Sequence, residues 1–404
     1  MARVLIVTSG PLCRNPRVLK EATALGEAGY EVTVLAPASL DRYEAFDREI
    51  LHAAPFRKVV LEETPSFWPR RLRSLRHRSV TWLARRLARV GIESAACFGP
   101  VRMLRLEARR FGADLTIVHT ESGLAVGADL IGRGRPVAVD FEDWHSRDLL
   151  PGAQRDRPLR LLRRLEGELC RRSLYSSAPS EAMSSGLCAA YGGVPPLVIR
   201  NVFPLQAVPA ALPHSGPPAL FWFSQTIGQG RMLEPFLAAW CLTRQPSRLC
   251  LLGDVSPDYR NKLIGLLPAE RRLTLEFLPL VPPGELPGVI AQHDLGLALE
   301  GSVPESRNLT ITNKLFQYLN AGLGVLASDT AGQREALALA PGACRMLPLM
   351  QSEALATLLD ELIADSGAIA AMGAAARKAA AELFCWEREK PRLLAAVALA
   401  LGRK

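Results

Sequence analysis

Short apolar runs alternate with helix-like segments along the whole chain. A run of four or five apolar residues without alternation is typical of a parallel strand that is covered on both faces. In the first half these runs predict strands over residues 4–8, 32–36, 115–119, 137–141 and 197–199. In the second half they predict strands near Leu220, Leu249, Leu275, Leu295 and Val325, each followed by a helix. Crossover units of this kind build doubly wound α/β sheets.

A proline-rich stretch divides the chain. Residues 204–218 contain five prolines and one glycine, which prevent regular structure. A chain of 404 residues also exceeds what one hydrophobic core usually serves. We therefore predict two α/β domains, at residues 1–203 and 219–384, joined by a linker at 204–218. A last helix-like segment covers residues 385–404.

A polar group precedes an apolar helix in the second domain. Thr312 and Asn313 are candidate caps, apolar residues follow on one face, and Gly322 is a typical C-terminal stop. The helix leads into an apolar strand at Val325. Helix N-termini beside strand ends favour anionic groups such as phosphate, so the caps and Lys314 are candidate contacts of a diphosphate.

All of the net positive charge lies in the first half. Residues 1–200 hold 31 Lys and Arg against 22 Asp and Glu, whereas residues 201–404 hold 18 of each. Eight arginines and no acid lie between Arg70 and Arg89, around an apolar stripe that includes Val80 and Leu83. This pattern predicts a basic amphipathic helix, which either lies on an anionic membrane surface or packs its stripe on the domain. The segment lacks the interleaved aromatic residues of a nucleic-acid site, so we expect no nucleic-acid partner.

Cysteine usage and the N-terminal residues indicate the compartment. The eight cysteines show no C-x-x-C pair and no metal-ligand spacing, so we expect reduced packing residues and no metal site. No stretch of eighteen apolar residues occurs, and the first residues enter a strand without a basic flank. These observations predict a cytoplasmic protein, with a peripheral position at the inner face of the membrane as the alternative that residues 70–89 raise.

The segment TNKLFQYLNAGLGVLASDTAGQRE, which starts at Thr312, is similar to the donor-binding segment of GT-B glycosyltransferases of family 4. The similarity extends to FWFSQTIGQGRMLEPFLAAW, LCLLGD and LEFLPLVPPGELPGVIAQHDLGLALE, and to the N-terminal RVLIVTSGPLCRNPRVLKEATALGEAGYEVTVLA. It implies two Rossmann-like domains that face a central cleft. It also implies sugar transfer from a nucleotide-diphosphate donor, with retention of anomeric configuration and without metal, and a C-terminal helix that crosses back to the first domain.

The resemblance implies a set of donor-binding residues in the second domain. Arg231 and Lys314 stand where two basic residues of the family contact the diphosphate. Gln225 stands where the family often has arginine, and the loop at Leu280 and Val281 is placed against the base. Asn313, beside Lys314 at the start of the helix, is included as a donor contact.

Two glutamates of the family motif are missing from this chain. Gln317 stands where one glutamate of the family holds the ribose, a task that an amide can share because it donates and accepts hydrogen bonds. Leu309 stands where the other glutamate lies near the transferred sugar. Glu305 is our candidate to replace that second carboxylate, with Glu300 and the polar run 306–308 as alternatives.

The first loop also differs from the family pattern. Where the family often has a glycine pair whose amides approach the donor phosphate, this chain has Gly10 followed by Pro11. The tripeptide that ends at Arg17 resembles bacterial family 4 enzymes of surface polysaccharide or glycoconjugate assembly. Arg17 is therefore a candidate contact of phosphate or acceptor. A helix cap at Asn15 with Pro16 in the first turn explains the same residues structurally.

Strand ends in the first domain concentrate acidic and imidazole groups. The segment 137–148 places Glu142, Asp143 and His145 after an apolar strand, a position suited to acid and base chemistry. By the resemblance, Glu142 stands where many family members have a histidine that contacts the donor sugar. We predict that Glu142 or Asp143 orients the acceptor hydroxyl and that His119 and His145 lie on the acceptor side.

Together these features predict a hexosyltransferase-type glycosyltransferase without a prosthetic group. The second domain is expected to bind a UDP- or GDP-linked sugar, and the first domain a glycan, glycolipid or small-molecule glycoconjugate as acceptor. The alternatives are a GT-B sugar-nucleotide epimerase or hydrolase, and a non-catalytic GT-B partner protein.

Overall fold

The computed structural model describes residues 1–61, 70–206 and 216–402, and of residues 42 and 70–76 it describes the backbone alone. The chain divides into two units. Unit 1 comprises Met1–Ile199 together with Lys390–Lys404, and unit 2 comprises Arg200–Glu389. Of the linker predicted at 204–218, residues 207–215 lie outside the described part of the chain.

Unit 1 is built on a seven-stranded sheet in which all pairings are parallel. Its strands are β1 (Arg3–Val7), β2 (Glu31–Ala36), β3 (Arg57–Val60), β4 (Leu115–Val118), β5 (Val137–Asp140), β6 (Ser176–Ala178) and β7 (Leu197–Val198). They lie in the order β3-β2-β1-β4-β5-β6-β7. The strand order therefore reverses between β1 and β4, which is the topological switch point of a doubly wound sheet.

Helices connect the strands of unit 1. They are α1 (Pro16–Glu27), α2 (Asp41–His52), α3 (Arg70–Ala88), α4 (Val101–Phe111), α5 (Thr120–Ile131), α6 (Leu159–Arg172) and α7 (Glu181–Tyr191). Short 3-10 turns lie at Leu12–Arg14, Ala95–Phe98, His145–Arg147 and Pro151–Asp156. The central strands β4 and β5 are buried along their whole length, as expected for continuous apolar runs inside a covered parallel sheet.

Unit 2 repeats this plan with six parallel strands. They are β8 (Ala219–Ile227), β9 (Arg248–Val255), β10 (Leu275–Leu278), β11 (Leu295–Ala298), β12 (Gly324–Ser328) and β13 (Cys344–Leu347). Their order is β10-β9-β8-β11-β12-β13, so the switch point of this sheet lies between β8 and β11. Alternate residues of β8 contribute to two apolar clusters, Trp222 to one and Phe221 to the other.

The helices of unit 2 follow its strands in turn. They are α8 (Leu233–Trp240), α9 (Pro257–Gly265), α10 (Ala269–Arg272), α11 (Leu286–Ile290), α12 (Glu305–Leu309), α13 (Asn313–Ala321), α14 (Ala331–Leu339), α15 (Ser352–Ala364) and α16 (Ser366–Glu382). A last helix, α17 (Trp386–Ala400), begins in unit 2 and continues in unit 1, where Lys390 Nζ lies 2.6 Å from Glu27 Oε2. Among the helices of the described residues, none combines the length and apolar character needed to cross a bilayer.

All ten strands predicted from apolar runs are present. The strands that the runs did not predict are β3, β6 and β13. β3 begins with Arg57 and Lys58, β6 with the buried Ser176 and Ser177, and β13 has Arg345 at its second position. Because of these polar residues, the three strands lack the continuous apolar run that the prediction requires. Their backbones nevertheless form parallel pairs with neighbouring strands, as the other strands do.

Candidate functional site

In unit 2, the switch point between β8 and β11 brings together segments that are far apart in the chain. Arg231 follows β8, and Glu300 follows β11. Open α/β sheets bind ligands outside the carboxyl ends of their strands at such a junction. The sheet topology alone therefore places a candidate site here.

The first turn of α13 supplies the third segment of this site. Gly322 ends the helix in the left-handed conformation, with φ of 80°, as the sequence predicts. Thr312 lies at the N-cap but makes no side-chain capping bond, and its Oγ1 instead donates to Glu300 Oε1 at 3.3 Å. Lys314 lies in the first turn, where the positive end of the helix dipole adds to the charge of its ammonium group.

A glycine in β11 sets how closely α13 approaches the sheet. A Cβ atom on Gly296 would overlap the ring of Tyr318, so the bare backbone leaves room for that ring. Tyr318 is fully buried, and its hydroxyl donates to the Leu297 carbonyl at 3.3 Å. The start of α13 is thereby held beside the end of β11, where Lys314 and Glu300 meet.

Three cationic side chains converge on Glu300. Lys314 Nζ lies 2.7 Å from Oε1, whereas Arg231 Nη1 and Arg307 Nε lie 3.3 Å and 3.5 Å from Oε2. We call these four residues the Glu300 cluster. One carboxylate balances one of three cations, so the cluster has an excess of two positive charges. The side chains of Arg231 and Arg307 are 33% and 26% exposed, against 8% for Lys314, which leaves the two arginines accessible to a ligand.

Burial and the neighbouring cations act in opposite directions on Glu300. Burial alone would raise the pKa of this carboxyl, but Lys314 and then Arg231 lower the pKa overall. Burial lowers the pKa of Lys314, and Glu300 opposes that effect. The backbone N–H of Glu300 donates to Ser328 Oγ at 2.7 Å, which fixes the carboxylate at the strand end. The arrangement is that of a site prepared for a multiply charged anion.

Arg307 is a cation of this site that the sequence pattern did not predict. Arg307 lies in α12, and its Nη1 also donates to the carbonyl of Gly230, the residue before Arg231. The sequence feature that could have indicated Arg307 is its position in a long polar segment between the end of β11 and the start of α13. Glu300, which we weighed only as an alternative to Glu305, is the carboxylate that the structure places among the cations. Glu305 is exposed at the start of α12.

The other predicted donor-binding residues lie in unit 2 with different exposure. Gln225, Leu280 and Asn313 are exposed, and Val281 and Gln317 are half-buried. Val281 also packs against the apolar cluster that includes Phe221. Contacts of these side chains with a donor stay predictions.

In unit 1, the carboxylate of Asp47 is hydrogen-bonded to the loop that follows β1. Its carboxylate oxygens accept hydrogen bonds from the N–H groups of Leu12 at 3.0 Å and Cys13 at 2.8 Å. Lys58 Nζ lies 2.6 Å from the same carboxylate, and both side chains are buried. Two amides of the loop are therefore occupied inside the protein. The predicted approach of a phosphate is limited to the part of the loop around Gly10, which is half-buried.

A charged network lies buried at the switch point of unit 1. His119 directly follows β4, and its Nε2 lies 2.5 Å from Glu21 Oε2 while its Nδ1 lies 2.7 Å from Glu142 Oε1. Asn15 Nδ2 donates to both oxygens of Glu142, at 3.1 Å and 3.3 Å. His119 is fully buried and lines no surface itself, whereas the Glu142 side chain is 19% exposed. The place of His119 on the acceptor side stays a prediction, and its burial favours an indirect role through Glu142.

Arg17 belongs to the same network. Its Nε lies 2.9 Å and 2.7 Å from the two oxygens of Asp140, and its Nη1 donates to the Ile199 carbonyl at 2.7 Å. The side chain is 6% exposed, and Asn15 caps α1 by accepting from the Val18 N–H, so the structure favours a structural role, and contact of Arg17 with phosphate or acceptor stays a prediction. We call Arg17, Glu21, His119, Asp140 and Glu142 the buried network.

His145 lies in a second cluster, after β5. Its Nδ1 lies 3.7 Å from Asp148 Oδ2, and Arg157 contacts both Asp148, at 3.3 Å, and Glu121. Burial alone would lower the pKa of His145, but Asp148 and then Glu121 raise the pKa to about 9. Asp143 is exposed and also favours the charged imidazole.

Two groups of side chains in the described chain have the spacing of a metal site. They are Glu21, His119 and Asp140, and Glu121, His145 and Asp148. An arginine already contacts carboxylates in each group, Arg17 in the first and Arg157 in the second. Because a guanidinium supplies the positive charge that a metal would bring, we assign neither group to a metal.

The apolar stripe predicted between residues 70 and 89 faces away from unit 1. Among the described side chains of α3, those of residues 77–88, Ala84 and Ala88 are buried. Arg85 Nε donates to the Cys97 carbonyl at 3.2 Å, and Arg89 Nη2 lies 2.8 Å from Asp156 Oδ2. The exposed apolar residues, which we call the α3 apolar face, are Val80, Trp82, Leu83, Leu87, Val90 and Ile92. The alternative in which the stripe packs on the domain is therefore wrong. The backbone of residues 70–76 continues the helix, but their side chains lie outside the described set.

No family model matches the chain, and no curated protein matches its sequence. Solved structures do match it over nearly its whole length. Sucrose-phosphate synthase from Thermosynechococcus elongatus is 14% identical, with 100% of both chains covered and a TM-score of 0.70. HepE from Anabaena in complex with UDP and glucose is 16% identical, with 99% of this chain and 100% of that chain covered and a TM-score of 0.70.

A further match is a Listeria monocytogenes structure described as a UDP-N-acetylglucosamine 2-epimerase. It is 14% identical, with 98% of this chain and 96% of that chain covered and a TM-score of 0.61. At these sequence identities the similarity shows the fold alone. The parallel sheets of seven and six strands with their flanking helices agree with it. The prediction from the sequence is confirmed, and the chain has the GT-B fold of glycosyltransferases, with two doubly wound Rossmann-like units.

Proposed function

We propose that this protein is a glycosyltransferase of the hexosyltransferase type, which moves a sugar from a nucleotide-diphosphate donor to an acceptor. Unit 2 binds the donor, and unit 1 binds the acceptor. The observation that supports this proposal most is the excess positive charge of the Glu300 cluster at the switch point of unit 2. A diphosphate supplies the two negative charges that the cluster needs.

Glycosyl transfer leaves negative charge on the departing diphosphate, so fixed cations at that position favour the transition state. Guanidinium groups match phosphate geometry bidentately, and Arg231 and Arg307 present such groups from two separate segments. Lys314 adds a point charge in the first turn of α13. Since these side chains and the helix dipole neutralise the leaving group, the proposed mechanism needs no metal.

In unit 1, Glu142 is the side chain proposed to orient the acceptor hydroxyl. It lies after β5, it is anchored by His119 and Asn15, and part of it is exposed. Asp143, which is exposed beside it, is the second candidate. An ionised carboxylate accepts the hydrogen bond of a hydroxyl and turns its oxygen lone pair toward the reacting carbon.

The comparisons support a nucleotide-sugar donor. HepE was solved with UDP and glucose, and we extend this to propose a UDP-linked donor here, with a GDP-linked donor as the alternative. Retention of configuration and membership of family 4 are proposed from the sequence resemblance. The acceptor class is proposed to be a glycan or glycolipid of polysaccharide assembly.

We also propose that the protein works in the cytoplasm, at the inner face of an anionic membrane. The α3 apolar face exposes 60% of Trp82 and 52% of Leu83, on a segment with eight arginines and no acid between residues 70 and 89. Exposed apolar side chains enter the interface between head groups and acyl chains, while arginines attract anionic head groups. A glycolipid acceptor would be reached from that position.

Two other functions are tested by the same experiment. The similarity to a structure described as an epimerase favours a sugar-nucleotide epimerase or hydrolase as the second candidate. Gln317, at the position of a family glutamate, favours a non-catalytic partner protein as the third.

The test is thermal unfolding of the full chain with uridine, guanosine, adenosine and thymidine diphosphates and their sugar conjugates, with and without divalent metal. A ligand that binds only the folded state at 100 times its Kd adds about 2.7 kcal/mol to the free energy of unfolding. We expect a stabilising shift with one base that does not depend on metal. Assays of the binding nucleotide sugar then separate the functions, since donor consumption without acceptor favours the epimerase or hydrolase. The absence of any shift would contradict the donor site.

A further inference from the structure

The buried network links an internal carboxylate to a partly exposed one through a single imidazole ring. Glu21, in α1, contacts one ring nitrogen of His119 at 2.5 Å, and Glu142, after β5, contacts the other at 2.7 Å. The side chains of Glu21 and His119 are 5% and 0% exposed, against 19% for Glu142. Only the Glu142 end of this chain of contacts reaches the surface of unit 1.

The charges of the network do not cancel. With His119 doubly protonated, Arg17 and His119 carry two positive charges, and Glu21, Asp140 and Glu142 carry three negative ones. Arg17 Nε contacts both oxygens of Asp140, so the arginine charge is matched deep inside the unit. The remaining group, Glu21–His119–Glu142, has one negative charge in excess, and Glu142 is its most exposed member.

We propose that His119 and Glu21 are positioning residues, which hold Glu142 as a permanently ionised carboxylate that accepts a hydrogen bond from a sugar hydroxyl. This inference rests on the proposed glycosyltransferase function. It goes further in that it assigns roles to two residues that touch no substrate. It also disfavours a phosphate or carboxylate of the substrate at this point, because either would meet a fixed negative charge.

The surroundings of the ring agree with a charged imidazole. Burial alone would lower the pKa of His119, but Glu21 and then Glu142 raise the pKa to about 10. Burial alone would raise the pKa of Glu142, but His119, Asn15 and Arg17 lower the pKa to about 2.

Among the described residues, Asp140 and Tyr175 are further charged or titratable neighbours of the network. Asp140 is paired with Arg17. The phenol of Tyr175 is buried near Glu21 and Asp140, and burial with these carboxylates raises its pKa, so that it stays neutral.

A neutral His119 ring could not donate hydrogen bonds to both Glu21 and Glu142. A neutral ring donates from one nitrogen only, so one of its two contacts would place a lone pair against a carboxylate oxygen. Both contacts are short and both partners are carboxylates, so the doubly protonated ring is the form that satisfies them. Asn15 then supplies the remaining donor to Glu142, and the carboxylate has one fixed orientation.

The first test measures the protonation of His119 directly and needs no substrate. The full chain is labelled with 15N in its six histidines, and the His119 signals are assigned by their loss in His119→Asn. We expect both ring nitrogens to carry protons at pH 8, and we expect Glu21→Gln, which keeps the hydrogen bond but removes a charge, to shift the titration of His119 to lower pH. A neutral His119 at pH 7 would overturn the proposal. If His119→Asn does not fold, Glu21→Gln assigns the ring by the shifted titration.

The second test measures function with the nucleotide sugar that the thermal screen identifies. Glu142→Gln should lower kcat at least tenfold and leave the Kd of the nucleoside diphosphate unchanged, because the nucleotide binds in unit 2. His119→Asn can still donate to Glu142 from its amide but lacks the charge. In His119→Asn the pKa of Glu142 should lie nearer its ordinary value. We therefore expect kcat/KM of this variant to fall with decreasing pH already above pH 4, where kcat/KM of the wild type stays constant.

Glu166→Gln is the matched control. Glu166 is a fully buried carboxylate of unit 1 that accepts from the Ser146 N–H at 2.9 Å and from the Tyr191 hydroxyl at 2.6 Å, outside the buried network. Its substitution should lower the melting temperature without a change in the pH profile. Full activity of Glu142→Gln, or a wild-type pH profile in His119→Asn, would overturn the proposal. Absence of turnover with every nucleotide sugar would contradict the proposed function instead, and the NMR titration would still decide the state of His119.

Discussion

Lys314 and Glu300 form a buried ion pair, with 2.7 Å between Nζ and Oε1. The pair joins the first turn of α13 to the end of β11, so one contact connects the helix N-terminus with the switch point of the unit 2 sheet. Lys314 makes the shortest contact with Glu300 and is 8% exposed, whereas Arg231 and Arg307 contact the other oxygen at 3.3 Å and 3.5 Å and are 33% and 26% exposed, so the two arginines are the cations that a ligand reaches most easily.

Arg231→Ala and Arg307→Ala should each weaken binding of the nucleoside diphosphate. A hydrogen bond to a charged group contributes about 1.5–3 kcal/mol, which corresponds to a rise in Kd of roughly tenfold or more. Isothermal titration of the full chain measures this change. Lys262→Ala is the control, since Lys262 is an exposed cation of the same unit that pairs with Glu234 at 3.2 Å. An unchanged Kd in both arginine variants would remove the Glu300 cluster as the diphosphate site.

Glu300→Gln should destabilise the protein yet increase its response to ligand. Removal of one partner from a buried ion pair costs about 3–5 kcal/mol because the other charge stays buried without compensation. A bound diphosphate supplies the missing negative charge, so we expect a larger gain in melting temperature per ligand concentration than in the wild type. Glu234→Gln, which removes the half-buried carboxylate of the pair with the exposed Lys262, is the comparison. A smaller ligand response in Glu300→Gln than in the wild type would contradict this account.

Stability should decrease as pH rises from neutral toward 10. The pKa of His119 is raised from 6.5 to about 10 by the two carboxylates, so its ionic contribution is complete below pH 6.5 and is lost as pH rises through the folded pKa. Each unit of pKa difference corresponds to about 1.4 kcal/mol. Urea unfolding between pH 6 and pH 9.5 measures the slope, and His119→Asn should flatten it. His145 titrates in the same direction, with a pKa of about 9, so the difference between the two proteins isolates His119.

Leu83→Glu should release the protein from anionic vesicles. The substitution places a negative charge in the α3 apolar face, on a helix whose arginines each add about 1 kcal/mol of attraction to an anionic surface. Co-sedimentation with vesicles of equal parts phosphatidylglycerol and phosphatidylcholine measures binding, and added salt should weaken it. Leu174→Glu is the control, because Leu174 is equally exposed in the same unit but outside α3. Equal sedimentation of both variants would show that the α3 apolar face binds no membrane.

The sequence predicted the architecture better than the site. Apolar runs identified ten strands because buried parallel strands need continuous apolar residues, and they missed β6 because its two buried serines look like a loop. Arg231 and Lys314 were predicted as a pair. Glu300 stayed an alternative, since an eight-residue spacing pointed to Leu309 and a longer segment separates Glu300 from α13 in this chain.

The state of His119 could not be predicted from the sequence at all. Its partners Glu21 and Glu142 lie 98 and 23 residues away and meet it only because β1, β4 and β5 are neighbours in the sheet. A lone histidine at a strand end gave no sign of two carboxylates around it. The sequence also did not show that the apolar stripe of α3 faces solvent. Ala84 and Ala88 form the packing surface of this helix, and small residues contribute little to a periodic hydrophobic pattern.

Gly296 determines the geometry of the Glu300 cluster because it has no side chain. It bears no charge, yet a Cβ atom at this position would overlap the ring of Tyr318, so we expect any side chain there to displace Tyr318 and with it α13. A survey of variants that scores only charged residues would therefore overlook a position able to separate Lys314 from Glu300. The distance between α13 and β11, and with it the distance between Lys314 and Glu300, therefore depends on a glycine within β11.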